Sequence, residues 1–363
     1  MTERADLARS LIAWFRREHR DLPWRPSPIH APRDAYRVLV SEIMLQQTQA
    51  SRVAERYGPF LDRFPAVDAL ASADEQDVLA MWSGLGYYRR ARSLHAAAQA
   101  VVEKHDGVFP TTATELRALP GVGDYTAGAI ASLVSNEPAP AVDGNVTRVL
   151  LRVHGKDAAA DDKGIPAWAR SEAAALHEAS SSRANPKPKR THAMLNEALI
   201  ELGATVCTPR APKCLLCPIA EHCEAAKQGR QDEIPRPKKP PKRRVLHAAS
   251  VVVRDGRRVL VHRRPADAGL WAGLWQVPTV ETDQQLTGSA VAAAFGLRDD
   301  PTPTESFAFQ TTHRDVRFAV WQAAGRPKPM PAGSRWVRAA DFDDLALSTP
   351  QRRILNGAMD SGD

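Results

Sequence analysis

All four cysteines of the chain lie between residues 207 and 223, in the spacing Cys207-x6-Cys214-x2-Cys217-x5-Cys223. Four thiols crowded into one short stretch tie it into a compact loop, whatever the rest of the chain does. In a reducing compartment such a set is rarely a disulfide framework. Structural zinc sites usually show two closely spaced pairs, and here only Cys214 and Cys217 form one. Four single thiolates from one loop suit a cubane [4Fe–4S] cluster, which takes one cysteine on each iron. Such a cluster can organise a loop without transferring electrons, so a fold staple and a functional part are compatible readings.

The chain around that loop changes character along its length. Its 363 residues suit two domains of moderate size. Up to about residue 225 the apolar pattern is helical. Tyr36, Val40, Ile43, Met44 and Leu45 predict a mostly buried helix over Tyr36–Thr48. Further helices are expected near 75–82, 90–104, 126–135, 145–153, 167–179 and 191–204, separated by Pro and Gly. Asp21–Pro32 holds four prolines and reads as an ordered loop or an extended arm. Lys227–Arg244 then carries eight Lys/Arg against two acids, with Pro235, Pro237, Pro240 and Pro241, and reads as a semi-extended basic linker. Beyond it the period switches to strands. His247–Arg254 and Arg258–His262 flank Asp255-Gly256, a hairpin signal. Strands are also expected at Phe307–Phe309, Asp315–Gln322 and Arg335–Val337, with helices at Gln285–Phe295 and Thr349–Met359. This is a second domain, of α+β type.

Net charge is +7, which favours a polyanionic partner without naming one. No apolar run approaches membrane-spanning length, and Met1–Arg20 mixes charge with apolar residues at helical spacing rather than forming a signal-peptide core. A cytoplasmic protein that does not engage membranes is expected.

Two carboxylates and one turn hold the chemistry. Leu119-Pro120-Gly121-Val122-Gly123 sits between helical stretches, where a tight glycine turn can expose backbone N–H groups beside a helix N-terminus, a seat for phosphate. As a bare pattern it is usually only a turn. Glu42 lies inside Val38-Leu39-Val40-Ser41-Glu42-Ile43-Met44-Leu45. Held in apolar surroundings it would stay protonated and serve as a general acid; on the helix's one wet stripe it would be an ordinary surface charge. Asp143, in Val142-Asp143-Gly144-Asn145-Val146, is either a helix N-cap or a second functional carboxylate, and different atoms can serve both ends.

These motifs together resemble the MutY family of adenine DNA glycosylases, within the helix-hairpin-helix (endonuclease III) superfamily. The cysteine spacing, the Pro-Gly-x-Gly turn about 20 residues before Asp143, and Ser41-Glu42-Ile43-Met44-Leu45-Gln46-Gln47-Thr48 carry the resemblance, which covers nearly the whole chain. It implies a [4Fe–4S] cluster on Cys207, Cys214, Cys217 and Cys223, with Arg210 and Lys213 on that loop gripping phosphates. It further implies Glu42 as the acid that protonates adenine and Asp143 as the stabiliser of an oxocarbenium-like sugar, with Tyr125 and Asn145 supporting them. Leu22-Pro23-Trp24-Arg25 matches the arm lining the adenine pocket, and Asn196-Glu197-Ala198-Leu199 supplies Glu197 near adenine. Without the family, Glu197 reads as exposed, since it shares a helical face with Glu201. Gln47 and Thr48 fall at the duplex wedge, Tyr87 of Gly84-Leu85-Gly86-Tyr87-Tyr88 stacks into the DNA, and Gly121 and Gly123 seat its backbone. Tyr125 stands where the endonuclease III branch has a Schiff-base lysine, which implies a monofunctional enzyme.

Residues from about 245 resemble a Nudix-like domain that recognises 8-oxoguanine, on Gly269-Leu270-Trp271-Ala272-Gly273-Leu274-Trp275-Gln276-Val277-Pro278. Nudix hydrolysis needs a Glu-rich helix for metal ions, and Gln285–Phe295 contains no acid, so binding is what remains. Family members often place Phe-Ser-His on the probing loop; this chain has Thr311-Thr312-His313, keeping polar contacts at Thr312 and His313 without the aromatic.

The expectation is therefore a mostly α helix-hairpin-helix glycosylase domain with its iron–sulfur loop (1–226), a basic Pro-rich linker (227–244) and an α+β Nudix-like domain (245–358). The expected activity is removal of adenine opposite 8-oxoguanine or guanine in double-stranded DNA, by a monomer associated with the nucleoid. The competing readings are a glycosylase for another mismatched base, a non-catalytic iron–sulfur DNA-binding protein, and a nucleotide-pool hydrolase acting through the C-terminal domain.

Overall fold

The computed structural model describes residues 2–181, 190–237 and 242–360. Pro240 and Pro241 of the expected linker lie outside the described residues. The elements in chain order are α1 (Thr2–Glu18), α2 (Ala35–Leu45), α3 (Ala50–Arg63), α4 (Val67–Ala71), α5 (Glu75–Met81), α6 (Arg89–His105), α7 (Ala113–Leu116), α8 (Asp124–Ser135), α9 (Gly144–Val153), α10 (Ile165–Ser181), α11 (Thr191–Thr205) and α12 (Glu224–Lys227). There follow β1 (Arg244–Asp255), β2 (Arg258–Arg263), β3 (Trp275–Gln276), β4 (Thr279–Thr282), α13 (Gly288–Phe295), β5 (Thr302–Gln310), β6 (Arg314–Ala323), β7 (Arg335–Val337) and α14 (Thr349–Asp360).

The chain forms two compact units, Met1–Ser72 with Ser93–Lys239, and Ala73–Arg92 with Pro240–Asp363. The first is helical. Leu7, Leu11 and Phe15 of α1, Val146 and Leu150 of α9, and Leu195, Leu199 and Leu202 of α11 share one buried core, so the N-terminal helix closes the helices that hold the site. Helix α2 starts where the Asp34 side chain accepts from the Arg37 N–H. It stops just before Gln47, whose φ of +54° no continuing helix tolerates. Helix α3 went unanticipated because Gly58 and Pro59 lie inside it. Its buried Val53, Tyr57, Phe60 and Leu61 hold the helix through the proline. Between α7 and α8, Gly121 has φ +71°, and a Cβ there would fall 2.3 Å from Ser93 Cβ, so backbone conformation and close packing both demand glycine.

The second unit is a seven-stranded mixed sheet, ordered β3-β2-β1-β6-β5, with β4 paired to β1 and β7 to β2. Strands β1 and β6 run parallel and the other pairings are antiparallel. The Asp255-Gly256 turn joins β1 to β2 as expected, with Gly256 at φ +59°. Strand β5 begins five residues earlier than its apolar core suggested, and β3 and β4 were not anticipated. Helix α13 reads GSAVAAAF, without a carboxylate.

Contacts also draw Ala73–Arg92 into this unit. Tyr88 Oη and Ser83 Oγ both donate to the Leu347 carbonyl, and Arg92 Nη2 donates to the Ala272 carbonyl at 2.7 Å. These are side chain–backbone bonds across more than 170 residues, which helical periodicity does not report. Among the described residues no helix is long and apolar enough to cross a membrane.

Candidate active site

Helix α2 is apolar on nearly every side, and Glu42 is carried into the interior with it, at 6% exposure. The wet-stripe alternative is excluded. The Tyr125 hydroxyl, from the first turn of α8, donates to the Glu42 carboxyl, while Glu42 Oε2 is buried with no hydrogen-bond partner. Burial pushes the Glu42 carboxyl up to about 7, against the pull of the Tyr125 hydrogen bond. Near neutral pH it is therefore partly protonated and able to donate. Burial likewise holds the Tyr125 hydroxyl well above its ordinary range, so it remains a neutral donor.

Asp143 does cap α9: its Oδ1 accepts from the Val146 N–H at 2.8 Å. Its Oδ2 accepts from Asn145 Nδ2 at 2.8 Å. Burial pushes the Asp143 carboxyl up, opposed by these hydrogen bonds and by the charge of Arg148. Arg148 donates through Nη2 to Asn145 Oδ1 and to the Gly203 carbonyl, and through Nε to the Cys207 carbonyl. One guanidinium thus links the cysteine loop to the residue that orients Asp143. Helices α9 and α11 meet closely here, since a Cβ on Gly203 would lie 2.6 Å from Asn145 Cβ.

Trp24, Arg25, Arg33, Glu42, Tyr125 and Glu197 line one cavity. Trp24 is fixed edge-on to Tyr57, with ring centroids 5.9 Å apart. Glu197 and Glu201 do share a face of α11, but that face is buried, at 6% and 0% exposure, which corrects the expectation of exposure. Arginines in and flanking the Pro-rich arm neutralise that face. Arg25 Nε donates to Glu197 Oε1, Arg33 Nη2 to Glu197 Oε2, and Arg20 with Arg25 clamps Glu201. Burial alone would raise the Glu201 carboxyl, but the two arginines bring it down to about 2.

Asn196, one residue before Glu197, was noted in sequence only as part of its segment. Its Oδ1 accepts from the Ala141 N–H and its Nδ2 donates to the Ala139 carbonyl and Ser132 Oγ, pinning the loop that leads into Asp143. Buried His177 lies 3.1 Å from the same Oδ1, and burial lowers its pKa to about 4. A neutral His177 therefore supports Asn196 without adding charge to the site.

The four cysteines and Arg152 line a second cavity in this unit. Among the described residues no group of three or more His, Cys, Asp or Glu gathers closely enough to hold a single metal ion. Four thiols lining one space fit a cubane that takes one cysteine on each iron. Arg152, 1% exposed, donates to Cys207 Sγ at 3.3 Å and to the Thr208 carbonyl at 2.7 Å, placing a guanidinium beside the Cys207 sulfur. Arg210 and Lys213 are exposed on this loop.

Of the remaining expected residues, Gly121 and Gly123 form the turn before α8, and Gln47 is exposed beyond α2. Thr48 Oγ1 is within 3.3 Å of the Gln46 carbonyl. In the second unit Tyr87 takes φ +47° and is 51% exposed, and its hydroxyl lies 2.9 Å from Thr312 Oγ1, next to exposed His313.

Residues 40–170 match the HhH-GPD superfamily of base excision DNA repair proteins, residues 207–223 the iron-sulfur binding domain of endonuclease III, and residues 248–357 the NUDIX domain. A thermostable thymine-DNA glycosylase shares the helical fold, with TM-score 0.52 and 24% identity over 62% of this chain and 98% of that one. Adenine DNA glycosylase of Mycobacterium tuberculosis is 42% identical over 58% of this chain and 64% of its own length. The mouse adenine DNA glycosylase is 34% identical over 95% of this chain and 76% of its own. The human enzyme is 32% identical over 95% of this chain and 72% of its own. With the helical fold, the cluster loop and the Nudix-like domain all in place, the chain belongs to the adenine DNA glycosylase family.

Proposed function

We propose that the chain hydrolyses the N-glycosidic bond of adenine mispaired with 8-oxoguanine or guanine in duplex DNA. The observation that carries this reading is Glu42, buried in a cavity with one oxygen unpaired and its carboxyl near neutrality. Adenine leaves poorly as an anion, so the bond breaks once the base accepts a proton and the sugar's developing positive charge is met by an anion. The target adenine is flipped into the cavity with Trp24 and Glu197. Glu42 donates to N7, Asp143 stabilises the sugar cation, and water replaces the base. Tyr125 holds the acid and Asn145 holds Asp143. With Tyr125 in place of a lysine, no Schiff base forms, and the enzyme is monofunctional.

Gln47, Thr48 and Tyr87 engage the opened duplex, Gly121 and Gly123 seat its backbone, and the protein acts as a monomer on nucleoid DNA. The [4Fe–4S] cluster shapes the loop that carries Arg210 and Lys213. Replacing both of these by Ala should leave the cluster intact and flatten the dependence of log K on log salt by about 1.8, the equivalent of two phosphate contacts. A duplex-binding titration at several salt concentrations reads this directly; an unchanged slope would place the loop off the backbone.

The hydroxyls of Tyr87 and Thr312 face one another, which suits elements reading the same side of a lesion. 8-Oxoguanine differs from guanine in having a donor at N7, and Thr312 with His313 can accept from it. The experiment is single-turnover adenine release from duplexes with 8-oxoguanine, guanine or thymine opposite adenine. Release is expected opposite the first two and not opposite thymine. Thr312→Ala with His313→Ala should narrow the preference for 8-oxoguanine over guanine by about tenfold. Equal release from all three duplexes would overturn the mispair reading.

A further inference from the structure

The turn Arg230–Ile234 follows α12 and is closed by two bonds to the Arg230 carbonyl, from the Glu233 N–H at 3.1 Å and the Ile234 N–H at 3.2 Å. Ile234 is buried, and its carbonyl accepts from Arg152 Nε at 2.7 Å, so one guanidinium fastens this turn to the cysteine loop. Within the turn, Gln231 lines the cysteine cavity. The other walls are the four cysteines, Arg152 and apolar Val206, Pro212, Ala220 and Ala226, which leaves Gln231 as the one carboxamide among the described lining residues. Its Oε1 is buried with no hydrogen-bond partner. Neither the sequence motifs nor the proposed mechanism gives Gln231 a role.

A buried amide oxygen without a donor is costly, and protein interiors leave few such atoms. The two ends of a carboxamide are alike in shape, and half a turn about its last bond exchanges them, so hydrogen bonding decides which end faces the cavity. A [4Fe–4S] cluster in this space presents sulfurs to its walls, sulfide and thiolate, and these accept hydrogen bonds without being able to donate any. An Oε1 facing them would set acceptor against acceptor and stay orphaned. With Nε2 facing them, an N–H finds an acceptor, and Oε1 moves to the end of the amide that is not buried without a partner. Arg152 already meets the same cavity in this way, donating from Nη1 to Cys207 Sγ at 3.3 Å.

We propose that Gln231 donates an N–H···S hydrogen bond from Nε2 to the [4Fe–4S] cluster and biases it towards its more reduced state. An electron added to an iron–sulfur cluster gathers negative charge on the sulfurs, so a donor aimed at one of them binds more tightly after reduction than after oxidation. The reduction potential therefore rises with the bond in place. A carboxamide does this without setting a second full charge beside Arg152, and without a proton that titrates near neutral pH.

The test is the reduction potential of the cluster in the loaded protein, wild type against Gln231→Met, which keeps the length of the side chain and removes the amide. The potential should fall in the variant, one-electron oxidation becoming about tenfold more favourable, a shift of about 59 mV. An unchanged potential would overturn the proposal. So would a rise, which would mean that the oxygen end of the amide faces the sulfurs. A second measurement needs only the wild type, made by cell-free translation with glutamine labelled at its side-chain nitrogen and then loaded with cluster. Pulsed electron paramagnetic resonance of the one-electron oxidised cluster should show coupling to the labelled nitrogen, because Gln231 is the one glutamine among the described residues lining the cavity. Absence of that coupling would overturn the proposal even if Gln231→Met did not fold or load its cluster. A side chain that merely packs the turn would give neither the coupling nor the fall in potential.

Discussion

Glu42→Gln is expected to lower single-turnover release of adenine by about 10³-fold or more while making the protein harder to unfold above neutral pH. The loss follows from removing the proton donor, a contribution of roughly 10²–10⁴ in rate for a positioned acid. Glutamine keeps the shape and can still accept from Tyr125, so the defect is in proton transfer rather than in the architecture of the cavity. The gain has the opposite sign for a linked reason. The folded Glu42 carboxyl sits at about 7 against an ordinary 4.5, so the native state binds this proton more tightly than the unfolded chain does. Stability from this group is full below the unfolded value and is lost as pH rises from there through about 7. Above that pH wild type bears a penalty on the order of 3 kcal/mol, which Gln does not. Thermal melts of both proteins at pH 5 and pH 8 should show the variant stabilised by roughly 5 °C or more at pH 8 and by little at pH 5. The same carboxyl sets the alkaline limb of the wild-type rate profile, with adenine release falling as pH rises past about 7. A variant that is both inactive and no more stable at pH 8 would mean that Glu42 is not held in the state described.

The parts of this molecule that were legible in its sequence are those fixed locally. Cysteine spacing, the glycine turn at Gly121 and the period of the buried helices each depend on a few neighbouring residues. What stayed hidden was set by partners far along the chain. Glu197 and Glu201 look like one solvated face of α11 until Arg20, Arg25 and Arg33 arrive from about 170 residues away to neutralise them. Asn196 reads as an ordinary helix residue, and only the Ala139–Ala141 backbone coming against it makes it a pin for the Asp143 loop. Helix α3 was concealed by Pro59, whose local preference is outweighed by four buried side chains. Ala73–Arg92 reads locally as a helix near 75–82 followed by a glycine-punctuated motif, and nothing in that pattern shows that Ser83 and Arg92 donate to carbonyls of the sheet unit. For Glu42 the local pattern was ambiguous in principle. An acid in an apolar helix is read locally as one wet stripe more readily than as complete burial, and only the packing of all sides of α2 decides between them.

Asp143 poses a related ambiguity, because a cap and a functional anion would occupy the same residue, and substitution separates them. Asn is as good an N-cap as Asp, so Asp143→Asn should retain the bond to the Val146 N–H and melt within about 1–2 kcal/mol of wild type. The residual loss has a definite source. The new amide nitrogen meets the Asn145 Nδ2 donor, and Asn145 cannot turn over without giving up its bond from Arg148. If Asp143 served only as a cap, adenine release would stay within a few-fold of wild type. If its charge faces the sugar cation, the neutral amide removes a preorganised anion from a buried site, and release should fall by about 10³-fold. Ser at the same position caps without either charge or amide, so it should be as slow as Asn while escaping the clash with Asn145. Single-turnover rates and melting curves for the two variants together therefore assign the carboxylate. A slow Asn variant beside a fast Ser variant would trace the defect to the displaced Asn145, and slow rates in both would trace it to the missing charge.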